Sequence, residues 1–246
     1  MNAMKSPAYI AAHVRRVIKD GASAPHAEEV QRFFKEEVAS RGWYTAELRK
    51  VAYRFHRVLL NEHGLDYLVS VADQLFRGRM VEEKSMAVML LEKSVHDLGP
   101  RQFRLFDEWL DRVSSWADHD ALVHYLISTM VVDDPAGVRV VFRWARSRNR
   151  WRRRAACVAL IRGTRRQMFR GEIARLSEML LQDEDDMVQK GLGWLLREYA
   201  KADAASAVKL LMKLRARAPR LVLRTACETL PAKTRAKVLA KAAGSR

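Results

Sequence analysis

A short pattern that recurs five times is the sequence feature that most constrains the fold. Four cations each stand directly before a small residue and six residues before a leucine: Lys84, Arg154, Lys190 and Arg224. Asp120 holds the same register, because Ala121 follows it and Leu126 stands six residues on. Successive positions are separated alternately by 36 and 34 residues. This period predicts stacked helical pairs in which equivalent positions line one face.

The remainder of the sequence agrees with an all-α fold. Apolar residues recur at helical spacing, and the sequence contains no clear strand alternation. The predicted helices are 7–19, 26–40, 45–62, 65–77, 81–97, 101–115, 118–132, 135–147, 150–162, 167–182, 185–201, 204–217, 220–229 and 232–243. No Ser/Gly-rich linker divides the 246 residues. We therefore predict one domain over 1–246, a solenoid of helical-pair repeats over 41–243 with a concave basic face and an N-terminal helical cap over about 1–40.

The positive charge is large, and most of it lies in one stretch. The chain has 45 Lys and Arg against 29 Asp and Glu, a formal charge of +16. Residues 139–175 contain thirteen arginines, no lysine and a single acid, Glu172. The charge indicates a nucleic acid, an anionic membrane surface or an acidic protein as partner, and the arginine fork matches phosphate oxygens in two-point contacts.

Several of these arginines surround Asn149, a predicted helix N-cap. Cations at a helix N-terminus oppose the helix dipole and one another, so they cost stability unless an anion neutralises them. A bound phosphate would do so, which favours a polyanion-binding segment over a solvated loop. The predicted contacts in this segment are Arg148, Arg150, Arg152 and Arg153.

Other sequence features count against several classes of protein. The longest apolar run, 121–132, is too short to span a bilayer and contains His124. The sequence has no phosphate loop, no dinucleotide fingerprint, no nucleophile elbow and no metal-ligand spacing, so we expect neither a cofactor nor a metal. Cys157 and Cys227 occupy the same offset in two repeats, which predicts small buried residues in a reducing compartment, the cytoplasm.

Spacing alone leaves two interpretations of Asp120. Repeats of the HEAT type carry a ladder in which an Asp of one repeat pairs with an Arg or Lys of the next, and Asp120 stands between Lys84 and Arg154. Alternatively, Asp120 is a functional carboxylate. Trp116 lies four residues before Asp120, and Trp194 lies four residues after Lys190, another position of the repeat pattern. These two tryptophans either belong to the core or flank a cationic or sugar group beside the carboxylate.

Three blocks of the sequence bear on that choice. Residues 189–201 read QKGLGWLLREYAK, residues 115–120 read SWADHD with a Trp-x-x-x-Asp spacing, and residues 151–156 read WRRRAA. Together they resemble the DNA alkylation repair (AlkD-like) family of DNA glycosylases, which are built from HEAT-like helical repeats. The resemblance extends over about residues 80–230, and the first block is its most specific part.

The resemblance implies a DNA glycosylase that excises cationic N3- or N7-alkylated purines from duplex DNA in base excision repair. It implies Asp120 as the catalytic carboxylate, Trp116 and Trp194 packed against the lesion deoxyribose, and Arg154 on a backbone phosphate. We expect a monomer in the cytoplasm that associates with the nucleoid when bound to DNA. The predicted DNA-binding residues are Arg148, Arg150, Arg152, Arg153, Lys190, Lys84 and Arg224.

The sequence also departs from the family pattern. Ser115 precedes Trp116 where the best-known members carry a tryptophan pair, and Asp186 and Met187 stand where the family can show aromatic residues. A HEAT-repeat scaffold or DNA-binding protein without activity is the alternative from another class. An RNA-binding helical repeat is a third, although the chain lacks a base-reading code in each repeat.

Overall fold

The computed structural model describes residues 5–240, and the regular structure in this range is helical, with no strand. The chain divides into two compact units, residues 1–126 and 127–246. None of the helices within residues 5–240 is both long and apolar enough to cross a lipid bilayer. The predicted all-α class is therefore confirmed.

The first unit is built around one enclosed helix, Val81–Glu92. Its helices are α1 (Pro7–Asp20), α2 (Ala24–Gln31), α3 (Thr45–His63), α4 (Leu65–Phe76), α5 (Val81–Glu92), α6 (Pro100–Trp109) and α7 (Trp116–Asp120). Helix α4 packs against α1 and α5, and α3 packs against both α4 and α5. Helix α5 has apolar residues on every side, including Met86, Val88 and Leu90, as expected of a helix surrounded by neighbours.

The predicted helix 26–40 ends early, because Gln31 ties the following segment into a turn. The Gln31 side chain donates to the carbonyl of Glu36 at 2.9 Å and accepts from the backbone N–H of Val38 at 2.9 Å. These bonds satisfy backbone groups that a helix would otherwise have to pair. Residues 32–44 therefore form an ordered loop in place of a helix.

A buried glutamate on α5 holds the far end of this loop. The Oε1 atom of Glu82 accepts from the Ser40 hydroxyl at 2.6 Å and from the backbone N–H groups of Arg41 and Gly42 at 2.9 Å each. Gly42 has a φ of 74°, a left-handed conformation that favours glycine. The loop that follows α2 is thus fixed on the central helix of its unit.

The second unit contains the later repeats. Its helices are α8 (Ser128–Asp133), α9 (Val138–Trp144), α10 (Arg150–Val158), α11 (Ile161–Thr164), α12 (Arg170–Leu180), α13 (Asp186–Ala202), α14 (Ala204–Leu214), α15 (Arg220–Ala226) and α16 (Ala232–Leu239). A π-helical segment, Ala121–Ile127, precedes α8, so the predicted helix 118–132 changes its winding along its length. The predicted helix 232–243 corresponds to α16, and its residues 241–243 lie outside the described range.

The repeat register appears directly in the packing of this unit. Helices α10, α13 and α15 carry Arg154, Lys190 and Arg224, and they pack in that order, α13 against α10 and α15 against α13. Two glycines of the QKGLGW block lie at these crossings. A Cβ built on Gly191 would stand 3.1 Å from Cγ of Arg154, and one on Gly193 would stand 2.6 Å from Cβ of Thr225. Both glycines therefore permit close approach of neighbouring helices.

Gly193→Ala is expected to destabilise the protein by up to about 2 kcal/mol. Alanine is favoured over glycine in a helix interior by about 1 kcal/mol, but overpacking of a tight crossing costs about 1–3 kcal/mol. The clash at Gly193 involves Cβ of Thr225 and, at 3.2 Å, the carbonyl of Val222, which cannot turn away. Urea denaturation measures the change in the free energy of unfolding.

Gly171→Ala is the matched control for that substitution. Gly171 also lies in a helix, α12, and a Cβ there would meet nothing within 4 Å. We expect this variant to be as stable as the wild type or more so. A Gly193→Ala protein that gained stability in the same way would contradict the close-approach explanation.

Candidate active site

Helix α7 brings two of the predicted site residues to one exposed face of the first unit. Trp116 begins the helix and Asp120 ends it, one turn later on the same side. Trp116 is 37% exposed, and the side chain of Asp120 is 21% exposed. An indole and a carboxylate that are both partly open to solvent can contact a bound molecule together.

Asp118, on the opposite side of α7, is the residue that completes a ladder with the preceding repeat. Its Oδ2 atom accepts from Nζ of Lys84 at 2.9 Å, across 34 residues, and the two side chains are 0% and 4% exposed. Lys84 also donates to the hydroxyl of Ser114 at 2.8 Å and to the carbonyl of Arg112 at 2.6 Å. The three protons of the ammonium group are therefore used inside the protein.

This pairing corrects one prediction and bears on another. Lys84 was expected among the DNA-binding residues, but it is buried and neutralised by Asp118, so it is a structural cation. The ladder interpretation gave Asp120 a cation of the next repeat; toward the preceding cation, Lys84, the paired acid is Asp118. Asp118 also caps α7 by accepting from the backbone N–H of Ser115 at 2.7 Å.

Two neighbours of Trp116 and Asp120 were not identified from the sequence. The imidazole Nδ1 of His119 lies 2.7 Å from Oδ1 of Asp120, and the His119 side chain is completely buried. The ring of Phe34 stacks on that of Trp116, with 4.8 Å between ring centroids and 16° between planes. Adjacency to Asp120 was the available signal for His119. Phe34 gave none, because residues 32–44 were predicted in part as helix.

In the second unit, Arg154 lies on α10 against the start of α13. Its side chain packs on Gly191, and Nη1 donates to the carbonyl of Met187 at 2.6 Å. Arg154 is 6% exposed, so its guanidinium is held by the protein and does not extend freely into solvent. Trp194 lies on α13 and is half-buried, one turn after Lys190. Lys190 pairs with Asp186 at 2.9 Å on the helix surface.

The arginine cluster at the start of α10 contains both internal and exposed side chains. Asn149 caps the helix as predicted, because its side chain accepts from the backbone N–H of Trp151 at 2.8 Å. Arg150 lies over the Trp151 ring at 4.7 Å and within 3.6 Å of Asp185. Arg148 is exposed, as is Arg224 further along the chain, and Arg152 is half-buried.

Arg153 differs from the rest of this cluster. Its Nε and Nη2 atoms donate to the two carboxylate oxygens of Asp183 at 2.6 and 3.2 Å. Nη1 donates to the carbonyls of Ser147 and Arg148 at 3.0 and 2.9 Å. This guanidinium therefore joins two loops of the second unit. We expected a phosphate contact here, and the geometry instead gives Arg153 a structural role.

The two thiols are not candidates for nucleophilic chemistry. Burial raises the pKa of Cys157 to about 12, against a smaller opposing effect of the nearby Arg154 charge. Burial also raises the pKa of Cys227. A thiol with a raised pKa contains little reactive thiolate at neutral pH. Within residues 5–240, no group of three His, Cys, Asp or Glu side chains is arranged to hold a metal ion.

Comparison with known proteins connects this geometry to one family. A family model described as DNA alkylation repair enzyme matches residues 14–230, which is most of the chain. A solved structure described as a predicted DNA alkylation repair enzyme from Enterococcus faecalis has a TM-score of 0.77 with this chain at 16% identity. The match covers 86% of this chain and 97% of that one, and at this identity it establishes a shared fold. A comparison with curated proteins finds no match.

Proposed function

The chain belongs to the DNA alkylation repair enzyme family, and from that premise we propose that it is a glycosylase that removes N3- or N7-alkylated purines from duplex DNA. Membership supports a role in DNA alkylation repair with DNA as the partner. The activity, the lesion class and the residues named below are our proposal. We further propose that the protein acts as a monomer on the nucleoid.

One observation carries the proposal most directly, the contrast between two carboxylates of α7. Asp118 is completely buried and paired with Lys84, whereas Asp120 is partly exposed beside the exposed indole of Trp116. Asp118 is the acid that pairs with Lys84 in the ladder between repeats. This supports Asp120 as the carboxylate that faces the substrate.

The chemistry of the lesion matches a single carboxylate. A purine alkylated at N3 or N7 carries a positive charge, so the base can leave without being protonated. The C1′–N9 bond breaks with both electrons going to the purine, which becomes neutral, and positive charge develops on the deoxyribose. A water molecule adds to C1′ and loses a proton, leaving an abasic site and a free base. The required group is an anion near C1′, and a general acid is not needed.

Asp120 and Trp116 would supply what this reaction needs on the first unit. The Asp120 carboxylate stabilises the developing oxocarbenium ion and orients the water molecule. The face of the Trp116 indole presents negative electrostatic potential to the same charge and excludes bulk solvent. The Phe34 ring stacks on the Trp116 indole and limits the orientations open to it.

The second unit would supply contacts to DNA. On the family resemblance we propose Arg154 as a backbone phosphate contact, through the 6% of its surface that is open to solvent, and Trp194 as an aromatic contact to deoxyribose. The remaining phosphate contacts are proposed from exposure and charge. They are Arg148, Arg150, Arg152, Lys190 and Arg224.

Base release from duplex DNA containing 7-methylguanine tests the proposal. The expected result is free 7-methylguanine and abasic DNA with the wild-type protein, and no release from the unmodified duplex. Salt-sensitive duplex binding without release from either 7-methylguanine or 3-methyladenine would support a non-catalytic DNA-binding repeat protein instead.

Arg148→Ala and Arg153→Ala are expected to have different effects on DNA binding. Each phosphate contact that is lost reduces the slope of log K against log salt concentration by about 0.9. We expect that change for the exposed Arg148. Arg153→Ala should leave the slope unchanged and lower the melting temperature, because Asp183 loses both hydrogen bonds from the Arg153 guanidinium. Fluorescence anisotropy over a salt series, with thermal melts, measures both. Equal changes in slope would contradict the structural role of Arg153.

A further inference from the structure

We propose that His119 is a positioning residue for Asp120, whose carboxylate it orients by donating a hydrogen bond from Nδ1. This inference rests on the proposed role of Asp120. His119 itself would touch neither the DNA nor the reacting atoms, so its effect on catalysis would pass entirely through its neighbour.

The side chains of His119 and Asp120 are in direct contact. Nδ1 of His119 lies 2.7 Å from Oδ1 of Asp120, which is the distance of a strong, charge-assisted hydrogen bond. An ionised carboxylate only accepts hydrogen bonds, so the proton of this contact belongs to the imidazole. The contact therefore selects the imidazole with a proton on Nδ1.

The two side chains differ in burial. The His119 side chain is 0% exposed and that of Asp120 is 21% exposed. A buried ring in a packed core keeps one rotamer, and a hydrogen bond from that ring restricts the rotamers open to a partly solvated aspartate. A donor that is fixed in the core therefore restricts the position of an acceptor at the surface.

A fixed orientation of the Asp120 carboxylate would contribute directly to the reaction. Stabilising charge at C1′ depends on the carboxylate being in place before the bond breaks, since reorganisation during the reaction costs free energy. A carboxylate has about four lone-pair sites, so the hydrogen bond from His119 does not by itself prevent the carboxylate from accepting from water. His119, the adjacent residue of the same helix, therefore holds the Asp120 carboxylate in position.

A purely structural explanation predicts something different. If Asp120 served only to satisfy a buried imidazole, the bond would matter for folding, and its loss would affect stability alone. If His119 positions a catalytic carboxylate, loss of the donor slows base release more than it weakens DNA binding. The two explanations can thus be distinguished by comparing rate, affinity and stability in the same variants.

The experiment compares His119→Asn with His119→Leu. Asparagine can place its amide N–H where Nδ1 stands, whereas leucine has the same branched shape without a donor. In single-turnover release of 7-methylguanine, we expect His119→Leu to be slower by about 10- to 100-fold, a loss typical of a misplaced catalytic group. His119→Asn should recover most of that loss, and both variants should bind the duplex as the wild type does.

Two further measurements make the result decisive. In an Asp120→Asn background, His119→Leu should cause little additional loss of rate, because the two residues act as a unit. Equal losses in His119→Leu and His119→Asn, or an undiminished effect of His119→Leu in that background, would overturn the proposal. Thermal melts accompany each variant, so a rate is compared only between folded proteins.

NMR spectroscopy tests the hydrogen bond between His119 and Asp120 without relying on activity. In protein labelled with ¹⁵N-histidine, His119 should show a proton on Nδ1, and this signal should shift in Asp120→Ala. An imidazole protonated only on Nε2 would overturn the proposed hydrogen bond even if the enzyme is active. The expected Nδ1–H signal in a protein that releases no base would retain the hydrogen bond and reject the glycosylase activity, so the two proposals fail separately.

Discussion

Asp120→Asn is expected to slow release of 7-methylguanine from duplex DNA by about 10²- to 10³-fold, the loss seen when one group that stabilises transition-state charge is removed. The amide keeps the size of the carboxylate but not its negative charge, so it cannot balance the positive charge that develops on deoxyribose. Duplex affinity should be equal or higher, because a charge that repels phosphates is lost. Single-turnover kinetics and anisotropy titration measure the two effects.

Asp97→Asn provides the matched control. Asp97 belongs to the same unit and is exposed, and the substitution removes the same charge. We expect no change in the rate of release from this variant. If Asp120→Asn lost duplex binding together with activity, Asp120 would be a binding or folding residue, and the assignment of the catalytic carboxylate would be wrong.

The sequence was sufficient to predict the helical architecture because its period is carried by many residues. Helix α13 (Asp186–Ala202) and helix α4 (Leu65–Phe76) each match a predicted helix to within one residue at either end. The loop 32–44 was not predicted, since it depends on single distant partners. Glu82 holds its far end from 40 residues away or more, and no local pattern reveals such a contact.

The candidate site was harder to predict, because neighbouring residues on a helix face different surroundings. Successive residues differ by about 100° around the helix axis, so Asp118 and Asp120 differ by about 200°. The first faces Lys84 in the interior, and the second is partly open to solvent. A repeat pattern that is uncertain by two residues cannot tell a ladder acid from a site acid.

The same limitation applies to the arginines of α10. Arg153 and Arg154 are adjacent and chemically identical, yet Asp183 engages the first and the carbonyl of Met187 engages the second. Composition predicts the net charge of the segment, but it does not show which cations the protein uses internally. That distinction needs the position of acids some 30 residues away in the chain, such as Asp183.

Asp118→Ala is expected to destabilise the folded protein by about 3–5 kcal/mol, which is the cost of leaving one partner of a buried ion pair without its counter-charge. The Lys84 ammonium would remain 4% exposed with only neutral acceptors, the hydroxyl of Ser114 and the carbonyl of Arg112. The N-terminal cap of α7 would be lost as well. Urea denaturation gives the change in the free energy of unfolding.

Asp120→Asn, two residues away, serves as the comparison for this loss. Its side chain is partly solvated, and the amide oxygen can still accept from His119, so we expect a cost below about 1 kcal/mol. Adding Lys84→Met to Asp118→Ala should recover part of the stability, because no buried charge then lacks a partner. If Asp120→Asn were as destabilising as Asp118→Ala, both carboxylates would be structural. The proposed division of α7 into a buried ladder acid and a partly exposed catalytic acid would then be wrong.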